Sequence, residues 1–470
     1  MVTGGPPFSD ETNCKEGSLR RQLQVQSVAT PERTSLPAAR QGLRQKQQQE
    51  QLVFVDEKGE RIPVMTADYG FRSGSGRLYQ AGYGTIPASA WELGLQNFKK
   101  ELRALRRAVR YGEPVGGTRL PSSGGPLTQA TSTVSHVLGQ QLYRLDVWLQ
   151  GKGLLGELAP ATPRNVRDGS LSEEELEVLL RVEALELDDA AVTAREKRRE
   201  KLGQKPKAPF AINLAYGSLC WLLDRVYEGR PIQRFWFLET VARMPYFAYI
   251  SMLHLYESLG WWRAGAELRK VHFAEEWNEL HHLQIMEALG GDQRWVDRFL
   301  SEHAAVFYYW VLVVFYLFSP KWSYCLMELI EGHAADTYAQ FAEQNRELLL
   351  AIPPPLVALN YYKSGDLYLF DEFQTGWKGK EPRRPPCNNL YDVFINIRDD
   401  EVEHTKTMRA CQDGSIHVDF QNLEAMQEFA AQEQLKVLDV VDASGDCTPQ
   451  DWLTSGSSMD LDDEAKAPRK

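Results

Sequence analysis

The chain has 470 residues, 43% of them hydrophobic, and a formal net charge of −11. This length and composition allow more than one domain and a core of normal size. The acidic balance argues against a nucleic-acid partner, because phosphate recognition needs a basic surface. Six scattered cysteines form no CxxC pair, so their spacing predicts neither a zinc site nor a dense disulfide framework and favours a reducing compartment.

Residues 1–50 are rich in Gln, Arg, Ser and Pro and show no hydrophobic periodicity. We therefore predict a disordered segment or a transit segment. Arg and Ser suit an organelle transit peptide, whereas Asp10, Glu11 and Glu16 do not, because such peptides contain few acids. No apolar run of the kind that directs secretion is present.

Residues 51–207 predict an N-terminal extension that is partly helical and of unknown role. Trp91 to Tyr111 has helical spacing of apolar residues, and residues 112–127 have the Gly/Pro/Ser composition of a loop. Residues 171–203 are strongly charged. We interpret their charge runs as solvated helix faces.

Residues 208–412 predict one helical domain, followed by a polar, acidic C-terminal tail over residues 413–470. Apolar periodicity and Gly/Pro stops predict its helices. The predicted helices are Ile212–Tyr227, Gln233–Leu259, Arg263–Leu289, Trp295–Phe318, Trp322–Leu350 and Leu390–Cys411.

The stretch Ala304–Phe318 is almost free of polar groups. It is shorter than the run of about 20 residues that crosses a bilayer. Trp310 and its tyrosine neighbours are residue types favoured at a membrane interface. A helix that lies in one leaflet fits better than a spanning helix, and a buried bundle helix is the alternative that this segment alone leaves open.

Two Glu-x-x-His steps stand in the helical domain, each accompanied by a lone glutamate on another apolar helix. Residues i and i+3 share one helix face, so each step can aim a carboxylate and an imidazole at one point. Exposed salt bridges would explain the spacing alone. A glutamate on an apolar face, however, needs a partner or a metal. Four carboxylates and two imidazoles from four helices form the di-iron site of ferritin-like bundles. The residues are Glu239, Glu279, His282, Glu331, Glu401 and His404.

Long strings around these residues resemble the alternative oxidases, and in particular their plastid terminal oxidase branch. The strings are LETVARMPYF, HFAEEWNELHHLQIMEALGGD, YYKSGDLYLFDEFQTG and NLYDVFINIRDDEVEHTKTM. The resemblance covers roughly residues 210–410. It implies an all-α fold, a ferritin-like four-helix bundle with a di-iron centre plus two interfacial membrane-associated helices, with disordered N- and C-terminal extensions.

The resemblance also implies roles for individual residues. The six residues above would bind two iron ions, and Tyr338 would transfer electrons and protons, the alternative for Tyr338 being a core tyrosine with a satisfied hydroxyl. Asn278 and Asp400 would orient the ligands. Arg234, Leu238, Ala334 and Thr337 would line a quinol pocket, for which ordinary packing is the alternative. Gly332 and His333 depart from the acids of mitochondrial members, so hydrogen bonding to the quinol is expected to differ.

The function implied is oxidation of plastoquinol and reduction of O2 to water without proton pumping. The resemblance places it on one leaflet of the chloroplast thylakoid membrane, on the stromal face, and by analogy as a homodimer. The connection over residues 361–390 favours the plastid branch. The alternatives are a mitochondrial-type ubiquinol oxidase, a di-iron hydroxylase of quinone biosynthesis and a non-enzymatic iron-binding helical protein.

Overall fold

The computed structural model describes residues 53–56, 58–65, 88–111, 126–158, 173–262, 265–363 and 385–412. In these ranges the regular structure is helical apart from one short hairpin, which confirms the predicted all-α class. The segments 1–50 and 413–470, for which disorder was predicted, lie outside the described residues. So does most of the connection 361–390.

The hairpin pairs β1 (Val53–Val55) with β2 (Arg61–Pro63) in antiparallel register. The first four helices precede the predicted helical domain: α1 (Ala90–Tyr111), α2 (Pro126–Gly151), α3 (Glu173–Glu183) and α4 (Asp189–Lys201). The next four are α5 (Phe210–Val226), α6 (Pro231–Ser258), α7 (Gly265–Ala288) and α8 (Trp295–Phe318). The last four are α9 (Pro320–Gln344), α10 (Arg346–Leu350), α11 (Leu356–Lys363) and α12 (Leu390–Ala410).

Helices α6, α7, α9 and α12 form a four-helix bundle whose facing side chains surround the candidate site. Helix α6 starts with Pro231 in its first turn, where the missing proline N–H costs nothing, and it contains Pro245. Helix α7 ends at Ala288 before Gly290, whose φ of +85° suits a glycine stop. Both ends lie close to the predicted positions.

The helix predicted over Trp322–Leu350 divides into α9 and α10 in the structure. The division falls at Asn345, whose Nδ2 donates to the carbonyls of Glu186 at 2.7 Å and Phe341 at 2.8 Å. A side chain that bonds to nearby carbonyls competes with the helical ladder. The sequence alone did not reveal this interruption because one partner lies far away in the chain.

Part of the N-terminal extension packs onto the bundle. Phe54 and Ile62 of the hairpin and Val182 of α3 belong to the same buried cluster as Tyr338 of α9. Residues 173–201 are therefore more than the solvated faces that their charges indicated. Their apolar side chains extend the core at one end of the bundle.

Helix α8 packs along α6 on the outside of the bundle. Among the described residues it is the one helix that is long and apolar enough to cross a membrane, and 22% of its most apolar window is buried. Its Arg298 donates to Glu101 of α1 at 2.9 Å, which connects the first helix to the bundle. One side of α8 is thus packed and the other remains exposed.

Candidate metal centre

Four helices deliver the six side chains that the sequence singled out to one point in the bundle. Helix α6 supplies Glu239 and α9 supplies Glu331. Helices α7 and α12 each supply one Glu-x-x-His step. All six side chains are 2% exposed or less, so they form a closed cluster inside the protein.

The cluster consists of two overlapping groups, each of which could hold one metal ion. In each group the candidate ligand atoms lie within 4.8 Å of one another. Glu279 and Glu401 belong to both groups, while Glu239 and Glu331 belong to one each. The groups are Glu239, Glu279, His282 and Glu401, and Glu279, Glu331, Glu401 and His404.

The two shared carboxylates lie between the two imidazoles. One oxygen of Glu279 lies 2.9 Å from Nδ1 of His404 and the other lies 3.6 Å from Nδ1 of His282. Glu401 has the matching arrangement, at 3.6 Å from His404 and 3.3 Å from His282. Each shared carboxylate thus presents one oxygen to each side, which is the arrangement of a bridge between two metals.

The unshared carboxylates complete each side of this arrangement. Glu239 lies 3.7 Å from Nδ1 of His282, and Glu331 lies 3.9 Å from Nδ1 of His404. Oxygen and imidazole donors are suited to iron and related transition metals. Two divalent ions would offset the four carboxylate charges, and the donor set therefore fits a dinuclear metal site.

Unsatisfied buried atoms give an independent test of that fit. Oε2 of Glu239, both oxygens of Glu279 and Nδ1 of His282 are buried and make no hydrogen bond within the described residues. Such atoms are costly to leave without a partner. A metal bound between them would supply the missing interactions.

The electrostatics of the cluster point the same way. Burial raises the pKa of Glu239 well above its usual range, and the neighbouring Glu279 charge adds to the effect. Burial opposes ionisation of Glu279 as well, but the two imidazoles hold its pKa well below the usual range. Burial also opposes protonation of His282 and His404, yet the surrounding acids raise the pKa of both. The cluster attracts positive charge.

Asp400 contacts the imidazole of His282 on the side that faces away from the carboxylates. Nε2 of His282 donates to Asp400 Oδ2 at 3.1 Å, which leaves Nδ1 facing the carboxylates. The same oxygen accepts from Asn278 at 3.0 Å and from the Tyr362 hydroxyl at 2.9 Å. Hydrogen bonds of this kind fix the orientation of a ligating histidine. Asn278 and Asp400 thus both lie beside His282, and Tyr362 is a further partner that sequence reasoning missed.

Two tyrosine hydroxyls contact the outer carboxylates. Tyr338 donates to Oε1 of Glu239 and stacks on Phe235 with ring centroids 4.3 Å apart. Tyr246 donates to Oε1 of Glu331 at 2.8 Å. Burial raises the pKa of both phenols, and the nearby carboxylates add to it. Sequence reasoning missed Tyr246, although it lies two helical turns after Glu239, as Tyr338 does after Glu331.

The predicted quinol-pocket residues lie on the facing helices α6 and α9. Arg234 is 2% exposed, and its Nη2 lies 3.4 Å from Nε2 of His333. Leu238 packs against the core cluster that contains Tyr338. Thr337 is buried and donates to the carbonyl of His333 at 2.7 Å, while the neighbouring Ala334 is partly buried. Along the chain, Arg234 and Leu238 precede Glu239 on α6, and Ala334 and Thr337 follow Glu331 on α9.

The comparison with protein families covers the bundle. Residues 210–413 match the family model described as "Alternative oxidase". This segment is therefore similar to the alternative oxidases. All six clustered residues lie within the matched segment, whereas α1 to α4 lie upstream of it.

Individual relatives give the same picture. Over 195 residues the chain is 55% identical to "Ubiquinol oxidase 4, chloroplastic/chromoplastic" of Arabidopsis thaliana, covering 42% of this chain and 55% of that protein. It is 23% identical over 188 residues to "Ubiquinol oxidase 1a, mitochondrial" of Arabidopsis thaliana, covering 40% and 47%. With the protein of that name from Oryza sativa subsp. japonica it is 24% identical over 211 residues, covering 45% and 56%. The chain thus spans about half the length of the curated relatives that it matches.

Proposed function

We propose that the chain is a quinol oxidase that transfers electrons from two quinols to O2 and forms two waters. The observation that carries this proposal is the buried cluster of four glutamates and two histidines inside a segment that matches the alternative oxidase family. The curated relatives named above are ubiquinol oxidases. The proposed reaction proceeds without proton pumping, so the released energy would appear as heat.

Two iron ions are the proposed cofactor, with Glu279 and Glu401 as bridges. Glu239 and His282 would hold one ion, and Glu331 and His404 would hold the other. Bound iron would supply the binding and reduction of O2. The protein's contribution is a closed site that excludes water, together with Asp400 and Asn278, which keep the imidazole of His282 in its ligating orientation.

Tyr338 is the proposed residue for electron and proton transfer. Its hydroxyl already donates to Glu239, a proposed ligand, and its ring lies against Phe235 on the helix that carries Arg234. A quinol bound near Arg234 is the proposed source of the electrons that pass through this phenol. Arg234, Leu238, Ala334 and Thr337 remain the proposed pocket.

Membrane attachment in one leaflet is supported by exposed apolar side chains on α8. Phe307 is 72% exposed and Trp310 is 61% exposed, whereas Leu312 and Tyr316 on the other side of the helix are buried. A helix with one packed side and one exposed apolar side fits the interface better than the bilayer interior. Helix α5 is the second proposed interfacial helix, because Phe210 and other apolar residues on it are also exposed.

The proposed location is the stromal face of the thylakoid membrane, with plastoquinol as the donor. The 55% identity to a chloroplastic relative supports the plastid, because mitochondrial relatives are 23% and 24% identical. A homodimer stays a prediction by analogy. A mitochondrial-type ubiquinol oxidase is the alternative, and the two quinols can be compared directly.

The test uses the full chain purified in mild detergent. Iron content is measured beside O2 uptake with decyl-plastoquinol and decyl-ubiquinol. We expect about two irons per chain and faster turnover with decyl-plastoquinol. A protein that holds iron but consumes no O2 with either quinol would instead be an iron-binding protein, and a faster rate with decyl-ubiquinol would favour the mitochondrial type.

A further inference from the structure

The side chain of Arg234 is buried between two acids that come from different parts of the chain. Its Nη1 donates to Asp189 of α4 at 2.6 Å, and its Nη2 lies 2.8 Å from Asp224 of α5. The side chain of Arg234 is 2% exposed, whereas those of the two acids are 35% and 38% exposed. A buried guanidinium is costly unless it is paired, so the position of Arg234 depends on an acid from outside the segment that matches the alternative oxidases.

Arg234 retains a donor for a ligand in this arrangement. Its Nε is buried and makes no hydrogen bond among the described residues. Its Nη2 also lies 3.4 Å from Nε2 of His333. The guanidinium is thus fixed on two sides by acids while Nε remains available to an oxygen acceptor.

A second contact between α4 and α9 lies next to His333. The guanidinium of Arg199 lies over Gly332, where an added Cβ would be 2.4 Å from Nη1. Nε of Arg199 donates to Asp336, one turn further along α9, at 2.9 Å. The glycine at 332 therefore makes room for an arginine from the upstream helix.

Glu196 of α4 faces the same region. It accepts from the hydroxyl of Tyr216 and from Lys205 at 3.1 Å, and its Oε2 lies 4.0 Å from Nδ1 of His333. Three residues of α4, at positions 189, 196 and 199, thus contact the surroundings of Arg234 and His333. Helix α4 covers these two residues from outside the bundle.

We propose that α4 forms one wall of the quinol site and that Asp189 is a positioning residue that holds Arg234 for the quinol head group. This inference rests on the proposed quinol oxidase function. The oxygen of a quinol hydroxyl or a quinone carbonyl accepts hydrogen bonds, and a charge-assisted bond from a fixed guanidinium is stronger than one from a mobile side chain. Asp189 acts through Arg234 and does not touch the substrate.

The test compares Asp189→Ala with Arg195→Ala on the same helix. Arg195 contacts Gln340 at 2.8 Å and Glu343 on α9, so its loss weakens the docking of α4 without removing the partner of Arg234. We expect Asp189→Ala to raise the KM for decyl-plastoquinol about tenfold, equivalent to about 1.4 kcal/mol. Its kcat should stay within about twofold and its iron content should be unchanged. Arg195→Ala should keep the wild-type KM and lower Tm.

A binding measurement tests the role of Asp189 independently of turnover. The affinity for decyl-plastoquinone, titrated by quenching of tryptophan fluorescence, should fall about tenfold in Asp189→Ala and remain unchanged in Arg195→Ala. Asp189→Glu should restore part of the affinity, and Asp189→Asn covers the case in which Asp189→Ala does not fold. Unchanged KM and affinity in both Asp189→Ala and Asp189→Asn, or equal losses in Arg195→Ala, would overturn the inference. A wild-type protein that turns over no quinol would overturn the proposed function itself.

Discussion

Truncation of Glu279 should remove the contribution of iron to folding stability. Glu279 is fully buried, and its two oxygens face the two imidazoles at 2.9 Å and 3.6 Å. In the proposed centre Glu279 would be a ligand shared by both ions, because it belongs to both candidate groups. The variant Glu279→Ala therefore removes one ligand from both ions at once, and we expect it to hold less than one iron per chain.

The magnitude follows from binding linkage. Iron present at about 1,000 times its Kd stabilises the folded state by about 4 kcal/mol. For a folded unit of about 200 residues, each kcal/mol corresponds to about 2–4 °C. The Tm of the wild type, loaded with Fe(II) under anaerobic conditions, should then exceed that of the chelated protein by about 8–16 °C. In Glu279→Ala this difference should shrink to a few degrees.

The difference in Tm between the iron-loaded and the chelated protein measures the contribution of the metal separately from the cost of the cavity. Truncation of a buried side chain leaves a cavity that destabilises both forms, and this cost cancels in the difference of Tm. The matched control is Glu275→Ala. Glu275 lies one turn earlier on α7, is equally buried and pairs with His272 at 2.8 Å, outside both metal groups. Glu275→Ala should lower the Tm of both the loaded and the chelated protein and leave the difference between them unchanged.

The assay is thermal unfolding by circular dichroism, with iron quantified on the same samples. If Glu279→Ala bound two irons and kept the wild-type difference, the bridging role of Glu279 would be refuted. If Glu275→Ala lost the difference as well, the effect would reflect the fold of α7 and not a ligand.

Three further predictions concern the Tyr338 hydroxyl, the exposed apolar side of α8 and Gly332 on α9. Tyr338→Phe should keep two irons per chain and a Tm close to wild type but lower the kcat for O2 uptake at least tenfold, because only the hydroxyl is lost. Phe307→Glu with Trp310→Glu should lower binding to lipid vesicles at least tenfold in a flotation assay, because two exposed apolar side chains become charged. Gly332→Ala should displace the Arg199 guanidinium, whose mobile end can move away at little cost, and should therefore raise the KM for quinol with little change in Tm, both measurable in the assays above.

The predictions for α8 and for Gly332 each have a control with a different expected result. Trp148→Glu alters a tryptophan that is 56% exposed on α2, and it should leave vesicle binding unchanged. Gly217→Ala adds a methyl where no atom lies within 4 Å, and it should be neutral or stabilising. Full activity in Tyr338→Phe, or equal effects of the two glycine variants, would contradict the reasoning.

Local periodicity predicted the helices of the bundle, while the grouping of the six residues also needed their apolar flanks and the resemblance to the alternative oxidases. The i, i+3 spacing places a glutamate and a histidine on one helix face, and an apolar surrounding turns that face inward. Both facts are contained in short segments, such as those around Glu279 and Glu401. Helix ends at prolines and glycines are equally local, and the structure has α7 and α8 close to the predicted bounds.

The docking of α4 could not be predicted in this way. Arg199 and Asp189 have the same local context whether their charges face water or meet Asp336 and Arg234. The pairing depends on how distant helices pack, and charge runs are more often solvated. Tyr246 is a different case, because its spacing from Glu239 placed both residues on the same face of α6. The signal was present, but nothing in the sequence distinguished a hydroxyl that contacts Glu331 from a core tyrosine.

The relative positions of Asp189, Arg234 and Tyr338 imply that binding and chemistry can be perturbed separately. Arg234 and Glu239 are five residues apart on α6, which corresponds to a rise of about 7.5 Å and a rotation of about 140° around the helix axis. Arg234 contacts acids of α4 and α5, whereas Glu239 accepts from the Tyr338 hydroxyl, so the two residues serve different parts of the proposed site. Loss of Asp189 acts at Arg234 and should raise KM. Loss of the Tyr338 hydroxyl acts at Glu239 and should lower kcat. A double variant should then show both effects independently, because the two residues have no shared partner.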